Sequence, residues 1–174
     1  MKILETKRLC FRHLLPGDLD DLFALYRDPE TRRYFPEGTL TYQETNDELG
    51  WFLNGHPDHP ELGLWATVLK ENGQFIGRCG LLPWTLTGRA EVEVAYLLSK
   101  EYWGQGLGSE AARGIADYAV EQLGLSRLIC LITPGNEASV NVARNIGMTL
   151  EKEMEDEHGP LLLYSMSARP KVGR

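Results

Sequence analysis

The sequence predicts an α+β (mixed α/β) fold: a central mixed sheet of seven strands with about four helices. Three observations point there. Apolar residues alternate with period two in several short runs and recur at helical spacing in others. These runs follow one another in the order β-α-α-β-β-β-α-β-α-β-β. A βαβ alternation, which makes a parallel pair, occurs only around residues 90–133, so the sheet is mixed.

Leu9, Phe11 and His13 alternate with polar residues and read as the first strand. Pro16-Gly17-Asp18 starts a helix with Asp18 as its cap, and Leu19, Leu22, Phe23 and Tyr26 form its apolar stripe. Asp28-Pro29 ends it, because a residue before proline avoids helical dihedrals. A second helix runs from Thr41 to about Asn54 with Leu49, Phe52 and Leu53 inward, and a proline- and histidine-bearing loop follows to Pro60. The strands Leu62 to Lys70 and Gln74 to Leu82 flank Asn72-Gly73, a hairpin signal because both residues tolerate positive φ. Ala90 to Ser99 is the next strand, and a glycine-rich turn leads from it into a helix over Gly108 to Leu123. Ser126 to Thr133 is an apolar strand, and Pro134-Gly135-Asn136 opens a helix that ends near Gly147. Met148 to Glu155 and Leu161 to Ala168 are the last strands, joined by a turn at Glu157-His158-Gly159-Pro160.

A chain of 174 residues with 43% hydrophobic content suits one domain over residues 1–174 and is too apolar for a disordered chain. The formal charge of -7 disfavours nucleic acid as a partner, since phosphate needs basic patches, and suits an amine-bearing substrate. No apolar run approaches the ~20 residues that span a bilayer, so no membrane partner is expected. The charged segment Met1 to Cys10 does not read as a signal peptide. Cys10, Cys79 and Cys130 are odd in number and form no CxxC pair, which disfavours disulfides and a metal site and suits a reducing cytoplasm.

The chemistry-bearing run lies at residues 91–111, where a strand ends, glycines stand at 104, 106 and 108, and a helix begins. Glycines let backbone approach a ligand, and a helix start offers unpaired N–H groups with partial positive charge. The result is a cradle for phosphate or pyrophosphate. A P-loop would need Gly-Lys-Ser/Thr, whereas Gly108 is followed by Ser109-Glu110. A dinucleotide fingerprint would need glycine at Ala111. A nucleotide or dinucleotide site, or a bare turn with no ligand, stays open at this point. Ala112, Ile115, Ala119 and Leu123 share one helix face with Gly108, opposite Glu110, Arg113, Asp117 and Glu121.

Tyr102-Trp103-Gly104-Gln105-Gly106-Leu107-Gly108-Ser109-Glu110-Ala111 resembles the coenzyme A loop of the general N-acetyltransferase (GNAT) superfamily, Arg/Gln-x-x-Gly-x-Gly/Ala. Gly106 and Gly108 match its glycines, and Trp103 replaces the Arg or Gln. Glu5-Thr6-Lys7-Arg8-Leu9 with Phe11-Arg12, Asp28-Pro29-Glu30, and Asn136-Glu-Ala-Ser139 through Ile146-Gly147-Met148 are similar to segments of the branch that acetylates ribosomal-protein N-termini. The resemblance spans about residues 4 to 168.

That resemblance implies a splayed sheet, acetyl-coenzyme A as co-substrate without a metal, and direct amine attack on the thioester. The pantetheine would pair with strand backbone at Leu97 and Leu98, the pyrophosphate with the N–H groups of Gly104, Gln105, Gly106, Leu107, Gly108 and Ser109, and Asn136 would bond the pantetheine arm or brace the gap. Glu93, at the acidic position of the family's Glu-Ile-Gly-Tyr segment, is the implied general base, through water. Glu91, Glu93, Ala95 and Leu97 share a strand face, so two carboxylates there are expected to raise each other's pKa. The tyrosine that many members use as general acid falls on Ala143, which leaves Ser139 to hydrogen-bond the leaving sulfur.

The resemblance implies an acceptor that is an amine-bearing small molecule or a peptide N-terminus. At pH 7 deprotonation costs roughly 1.4 kcal/mol for an α-amine and roughly 4.6 kcal/mol for a lysine-type amine, which favours the α-amine where one glutamate is the base. Tyr34, Phe35, Trp51, Trp84, His56 and His59 lie in the segments that form the family's acceptor pocket. A catalytically idle coenzyme A sensor is the alternative of another class, and a monomer or a homodimer fits equally.

Overall fold

The computed structural model describes residues 1–167. Its strands are β1 (Lys2–Glu5), β2 (Leu9–His13), β3 (Gly63–Leu69), β4 (Phe75–Leu86), β5 (Arg89–Leu98), β6 (Arg127–Ile132), β7 (Thr149–Asp156) and β8 (Gly159–Ser167). Its helices are α1 (Leu19–Tyr26), α2 (Tyr42–Phe52), α3 (Leu107–Glu121) and α4 (Glu137–Asn145). They form one mixed sheet in the order β1-β2-β3-β4-β5-β6-β8-β7.

The sheet therefore has eight strands and not the expected seven. The addition is β1, which folds back on β2 through a turn closed by Thr6 N–H on the Leu9 carbonyl (2.9 Å). Four residues with adjacent Ile3 and Leu4 carry no alternation that would reveal a strand. β4 also runs past the expected Leu82 to Leu86, into a two-residue turn at Thr87 (φ 48°) and Gly88 (φ 79°). Asp18 does not cap α1 with its side chain; its carboxylate takes the Leu15 N–H (2.7 Å) and both Arg12 terminal nitrogens (2.7 and 2.8 Å). Thr41 does cap α2, in a reciprocal box with Glu44. The expected end of the last strand at Ala168 lies outside the described residues.

Helices cover both faces of the sheet. Ala111, Ala112, Ile115 and Ala119 of α3, with Val140 and Ala143 of α4, pack on Val94 and Leu98 of β5 and Leu128 and Cys130 of β6. Small residues on α3 bring it close enough for Tyr118 to meet the buried Trp65 ring edge-on at 5.7 Å. Leu22, Leu25 and Tyr26 of α1 and Leu49 and Phe52 of α2 cover the other face, on Leu64, Ala66 and Ala95. Period-two alternation along β5 thus sends Glu91, Glu93, Ala95 and Leu97 toward α1 and α2, and Val94, Tyr96 and Leu98 toward α3 and α4.

The sheet opens at its one parallel junction. β5 and β6 register at a single pair, Glu93 with Ile129, and then diverge. Everything needed for a site converges on that opening: the end of β5, the start of α3 and the start of α4.

Candidate active site at the β5–β6 splay

Past the end of β5 the chain makes a short turn at Lys100–Tyr102 and enters α3 through Gly104 (φ 70°) and Gly106 (φ 75°). Both left-handed residues face open space: a Cβ on Gly104 would meet nothing within 4 Å, and one on Gly106 only an Arg8 nitrogen at 3.6 Å. The first helical bond runs from Glu110 N–H to the Gly106 carbonyl (3.1 Å). Among the described residues, the N–H groups of Gly104, Gln105, Gly106, Leu107, Gly108 and Ser109 donate to no protein acceptor. Consecutive free donors on a left-handed turn and a helix start form an anion cradle. Gly108 contributes differently: its Cα faces Val142, so it sets the approach of α4. The Ser109 hydroxyl accepts from Asn145 Nδ2 (3.0 Å).

Glu110 would oppose phosphate at this point if it were free. It is instead drawn back by the Thr6 hydroxyl (2.6 Å), the Arg8 N–H (2.7 Å) and Arg8 Nε (2.6 Å). Partial burial works to raise its pKa, but these donors outweigh it and hold the carboxyl below its ordinary value. Arg8 also donates to the Gln105 carbonyl (3.0 Å), so it braces the loop, a role that nothing in its sequence position announces.

Ser99 N–H donates to the Ile76 carbonyl (2.8 Å), which fixes the alternation of β5. Leu97, opposite Arg78, spends its backbone groups on β4; Tyr96 and Leu98 turn theirs into the splay. The expected pairing surface therefore moves from Leu97 to Tyr96, while Leu98 stays. The Leu98 carbonyl is already held by the Trp103 indole N–H (2.8 Å), which leaves its N–H for a ligand. The Cys130 thiol reaches the Val94 carbonyl (3.3 Å) at the point where the strands part.

Glu93 stands at the mouth of the splay, half-buried. The Trp84 indole donates to its Oε2 (2.7 Å), and the Leu131 N–H on β6 approaches its Oε1 (3.4 Å). Burial pushes its pKa up to about 7, against the lowering effect of Trp84, Leu131 and the charge of Arg78. The expected coupling with Glu91 is not the cause. Glu91 is committed to Arg127 (2.9 and 3.1 Å) and Arg89 (3.5 Å).

Asn136 caps α4, its Oδ1 accepting from the Ser139 N–H (3.2 Å). The Ser139 carbonyl accepts from the Tyr96 hydroxyl (2.8 Å), which ties α4 to β5 across the splay. Among the described residues the Ser139 hydroxyl makes no protein hydrogen bond. Tyr96 is thus a site-building residue that the sequence offered only as part of a motif. Tyr34 joins the site through its hydroxyl on the Gly135 carbonyl (3.0 Å), and Phe35 through Arg32 and Arg78 over its ring. Trp51, near the end of α2, meets the His56 ring edge-on, His56 lies against His59 in the loop that follows, and none of the three bonds to Glu93. A separate hollow of about 490 Å³ between α3 and the β1–β2 turn includes Thr6, Glu110 and Gly114 and belongs to neither the cradle nor Glu93. Among the described residues no cluster of ligating side chains could hold a metal, and no helix is long and apolar enough to cross a membrane.

Comparison with known proteins points the same way. A family model described as the acetyltransferase (GNAT) domain matches residues 8–149. YkkB of Bacillus subtilis is 30% identical over 162 residues, covering 92% of this chain and 93% of that protein. YdaF of Bacillus subtilis, described as a putative ribosomal N-acetyltransferase, is 33% identical over 181 residues, covering 97% of this chain and 96% of its own. The structure of RimL, a ribosomal alpha-N-protein acetyltransferase in complex with coenzyme A, superposes with a TM-score of 0.79 at 15% identity, over 97% of this chain and 98% of that one.

Proposed function

The chain belongs to the GNAT acetyltransferase family, and from that premise we propose that it is one acetyltransferase domain that moves an acetyl group from acetyl-coenzyme A to a primary α-amine. The observation that carries this reading is Glu93 at the splay, with a pKa of about 7, on the opposite sheet face from the helices that close the cradle.

The free N–H groups of Gly104 to Ser109 would hold the pyrophosphate, and those of Tyr96 and Leu98 the pantetheine amides and the thioester carbonyl. Both glycines and the neutralised Glu110 fit such a ligand. Asn136 would brace the gap from the α4 side. Coenzyme A supplies the activated acetyl group when bound. Glu93 accepts the ammonium proton, directly or through water, and its pKa suits a base near neutral pH. The amine nitrogen then bonds the acetyl carbon as the carbon–sulfur bond breaks. The Ser139 hydroxyl is free to hydrogen-bond the departing sulfur, which leaves as thiolate or takes up the displaced proton through water.

A base near pKa 7 accepts a proton from an α-ammonium of pKa ~8 at roughly 1.4 kcal/mol, and from a lysine-type amine of pKa ~10.4 at roughly 4.6 kcal/mol. The match favours a peptide N-terminus or an amino-acid-like amine, as does the description of YdaF. An idle coenzyme A-binding module is the second reading, favoured by the buried Ala143 where many members carry a tyrosine. Purified protein with acetyl-coenzyme A and a panel of N-terminal peptides, amino acids, polyamines and aminoglycosides, read by free thiol, separates the two. Turnover of one amine class supports the transferase; coenzyme A binding without turnover supports the idle module.

A further inference from the structure

Beyond the Glu93–Ile129 pair, β5 and β6 face each other with backbone groups that no longer pair. Two such edges close on one another unless something holds them apart. The turns after α1 supply a restraint, through contacts that the reaction above leaves unused. β5 and β6 run parallel, so both end on the same edge of the sheet, β5 at Leu98 and β6 at Ile132. Residues 28–34 are bonded to the chain just past both of these ends.

On the β5 side, Lys100 Nζ lies 3.4 Å from Asp28 Oδ2 and 3.8 Å from Glu30 Oε2. Asp28 is itself fixed in its turn. Its carboxylate accepts from the Glu30 N–H (3.1 Å) and the Thr31 hydroxyl (3.0 Å), and its carbonyl from the Arg32 N–H (3.0 Å). On the β6 side, Tyr34 is held twice. Its hydroxyl donates to the Gly135 carbonyl (3.0 Å), and its own carbonyl accepts from the Thr133 hydroxyl (3.2 Å). The next residue, Phe35, is pinned to the sheet: its ring centroid lies 4.0 Å from the Arg32 guanidinium carbon and 5.6 Å from that of Arg78 on β4. Segment 28–34 therefore crosses the mouth of the splay on the face that carries Glu93. On the other face, the Tyr96 hydroxyl on the Ser139 carbonyl (2.8 Å) crosses from β5 to α4.

The length of the segment suits the gap. Helical turns rise ~1.5–2 Å per residue, so residues 28–34 span ~9–12 Å along the backbone. Paired strands stand ~4.8 Å apart, so two strands with one extended chain between them stand about 10 Å apart. Each anchoring contact is weak alone, and the Lys100 pair is half exposed, where water screens it. Their effect comes from being attached to one turn at both of its ends.

We infer that segment 28–34 is a strap that sets the width of the splay, with Lys100 and Tyr34 as positioning residues at its two ends. It holds the ends of β5 and β6 one chain's width apart, so that the N–H groups of Tyr96 and Leu98 stay free for the pantetheine arm. This rests on the coenzyme A reading of the splay. It goes further by assigning the preorganisation of the slot to a segment that, among the described residues, bonds to neither the cradle nor Glu93. A strap works only while both ends are held, so its two ends act as one unit.

The test is a double-variant cycle read without turnover. Coenzyme A is titrated by calorimetry into the full chain, Lys100→Met, Tyr34→Phe and the double variant, with circular dichroism confirming each fold. Each single variant is expected to lose roughly threefold to fivefold in affinity, the size of one hydrogen bond or half-exposed ion pair. The double variant is expected to lose no more than the larger single loss, whereas independent contacts would multiply to roughly tenfold or more. Asp28→Asn separates the strap from a direct contact of Lys100 with the coenzyme. The strap expects weaker binding; a lysine that met phosphate itself would bind tighter once released from Asp28. Thr133→Val cuts the same end as Tyr34→Phe and replaces it in the cycle if that variant does not fold. Losses that multiply, no loss in either single variant, or tighter binding by Asp28→Asn overturns the strap. A parallel arm follows thiol release from acetyl-coenzyme A with the amine panel. Turnover of an amine alongside losses that multiply sinks the strap and leaves the transferase. A cycle that holds while no amine is acetylated sinks the transferase reading and leaves the strap. No binding of coenzyme A by the unaltered protein overturns both.

Discussion

The Trp84 indole N–H lies 2.7 Å from Glu93 Oε2, although the register of β4 and β5 places Trp84 opposite Glu91. The contact is a diagonal one across the sheet face, and it leaves Glu91 to Arg127. It means that an exposed aromatic side chain from the neighbouring strand tempers the rise that burial imposes on the candidate base.

Trp84→Phe removes a donor that favours the charged carboxylate, so the Glu93 pKa rises above about 7. The acidic limb of the kcat/KM profile should move to higher pH, with little change in the affinity for coenzyme A. A pH–rate series on both proteins checks this; an unmoved limb would separate Glu93 from the titration.

Gly106→Val should weaken coenzyme A binding by an order of magnitude or more while the amine KM stays near its original value. A β-branched residue at φ 75° is strained by ~1–2 kcal/mol or relaxes away from it, and either response disturbs the cradle. Calorimetric titration with coenzyme A measures the effect.

Arg127→Met should destabilise the fold by roughly 1–3 kcal/mol, because the carboxylate of Glu91, 6% exposed, loses the Arg127 Nε–H that both its oxygens share and keeps the more distant Arg89 at 3.5 Å. Urea unfolding of the variant checks the size. The double variant Arg127→Met with Glu91→Leu should recover much of the loss.

Glu151 gives a pH prediction with the opposite sign to Glu93. Hydrogen bonds from Arg127 and Ser165 hold its carboxyl down at about 2. A folded-state pKa below the unfolded value contributes stability that is present above the ordinary carboxylate range and lost as pH falls toward about 2. Glu93, raised instead, contributes stability below its unfolded pKa that is lost as pH rises through about 7. Glu93→Gln should therefore flatten the stability profile between about 4.5 and about 7, and Glu151→Gln the profile below about 4.5. Chemical denaturation across that range reads both.

The order of elements from β2 onward, the mixed sheet and the glycine-rich entry to α3 were legible in the sequence because each rests on a local signal: a period, a proline stop, a turn dipeptide. β1 was not, because four residues show no period. The site was legible where it is backbone and illegible where it is side chain. Glycines at 104 and 106 announce an open loop, but that Arg8 draws Glu110 away depends on a contact across 102 residues. The shift of the pairing surface from Leu97 to Tyr96 depends on which edge of β5 meets β4, a parity that one hydrogen bond fixes and no pattern reveals. Arg78 did leave a trace, as a charged residue inside the apolar run Phe75 to Leu82, and such a residue in a central strand asks for a partner.

The most direct test of the central claim is the pH dependence of thiol release from acetyl-coenzyme A with the best α-amine acceptor, in the unaltered protein and in Glu93→Gln. The account expects kcat/KM to rise through a limb near pH 7, and Glu93→Gln to lose both the limb and roughly 10²-fold or more in rate with coenzyme A affinity unchanged. Equal rates with the same limb in both proteins would contradict it.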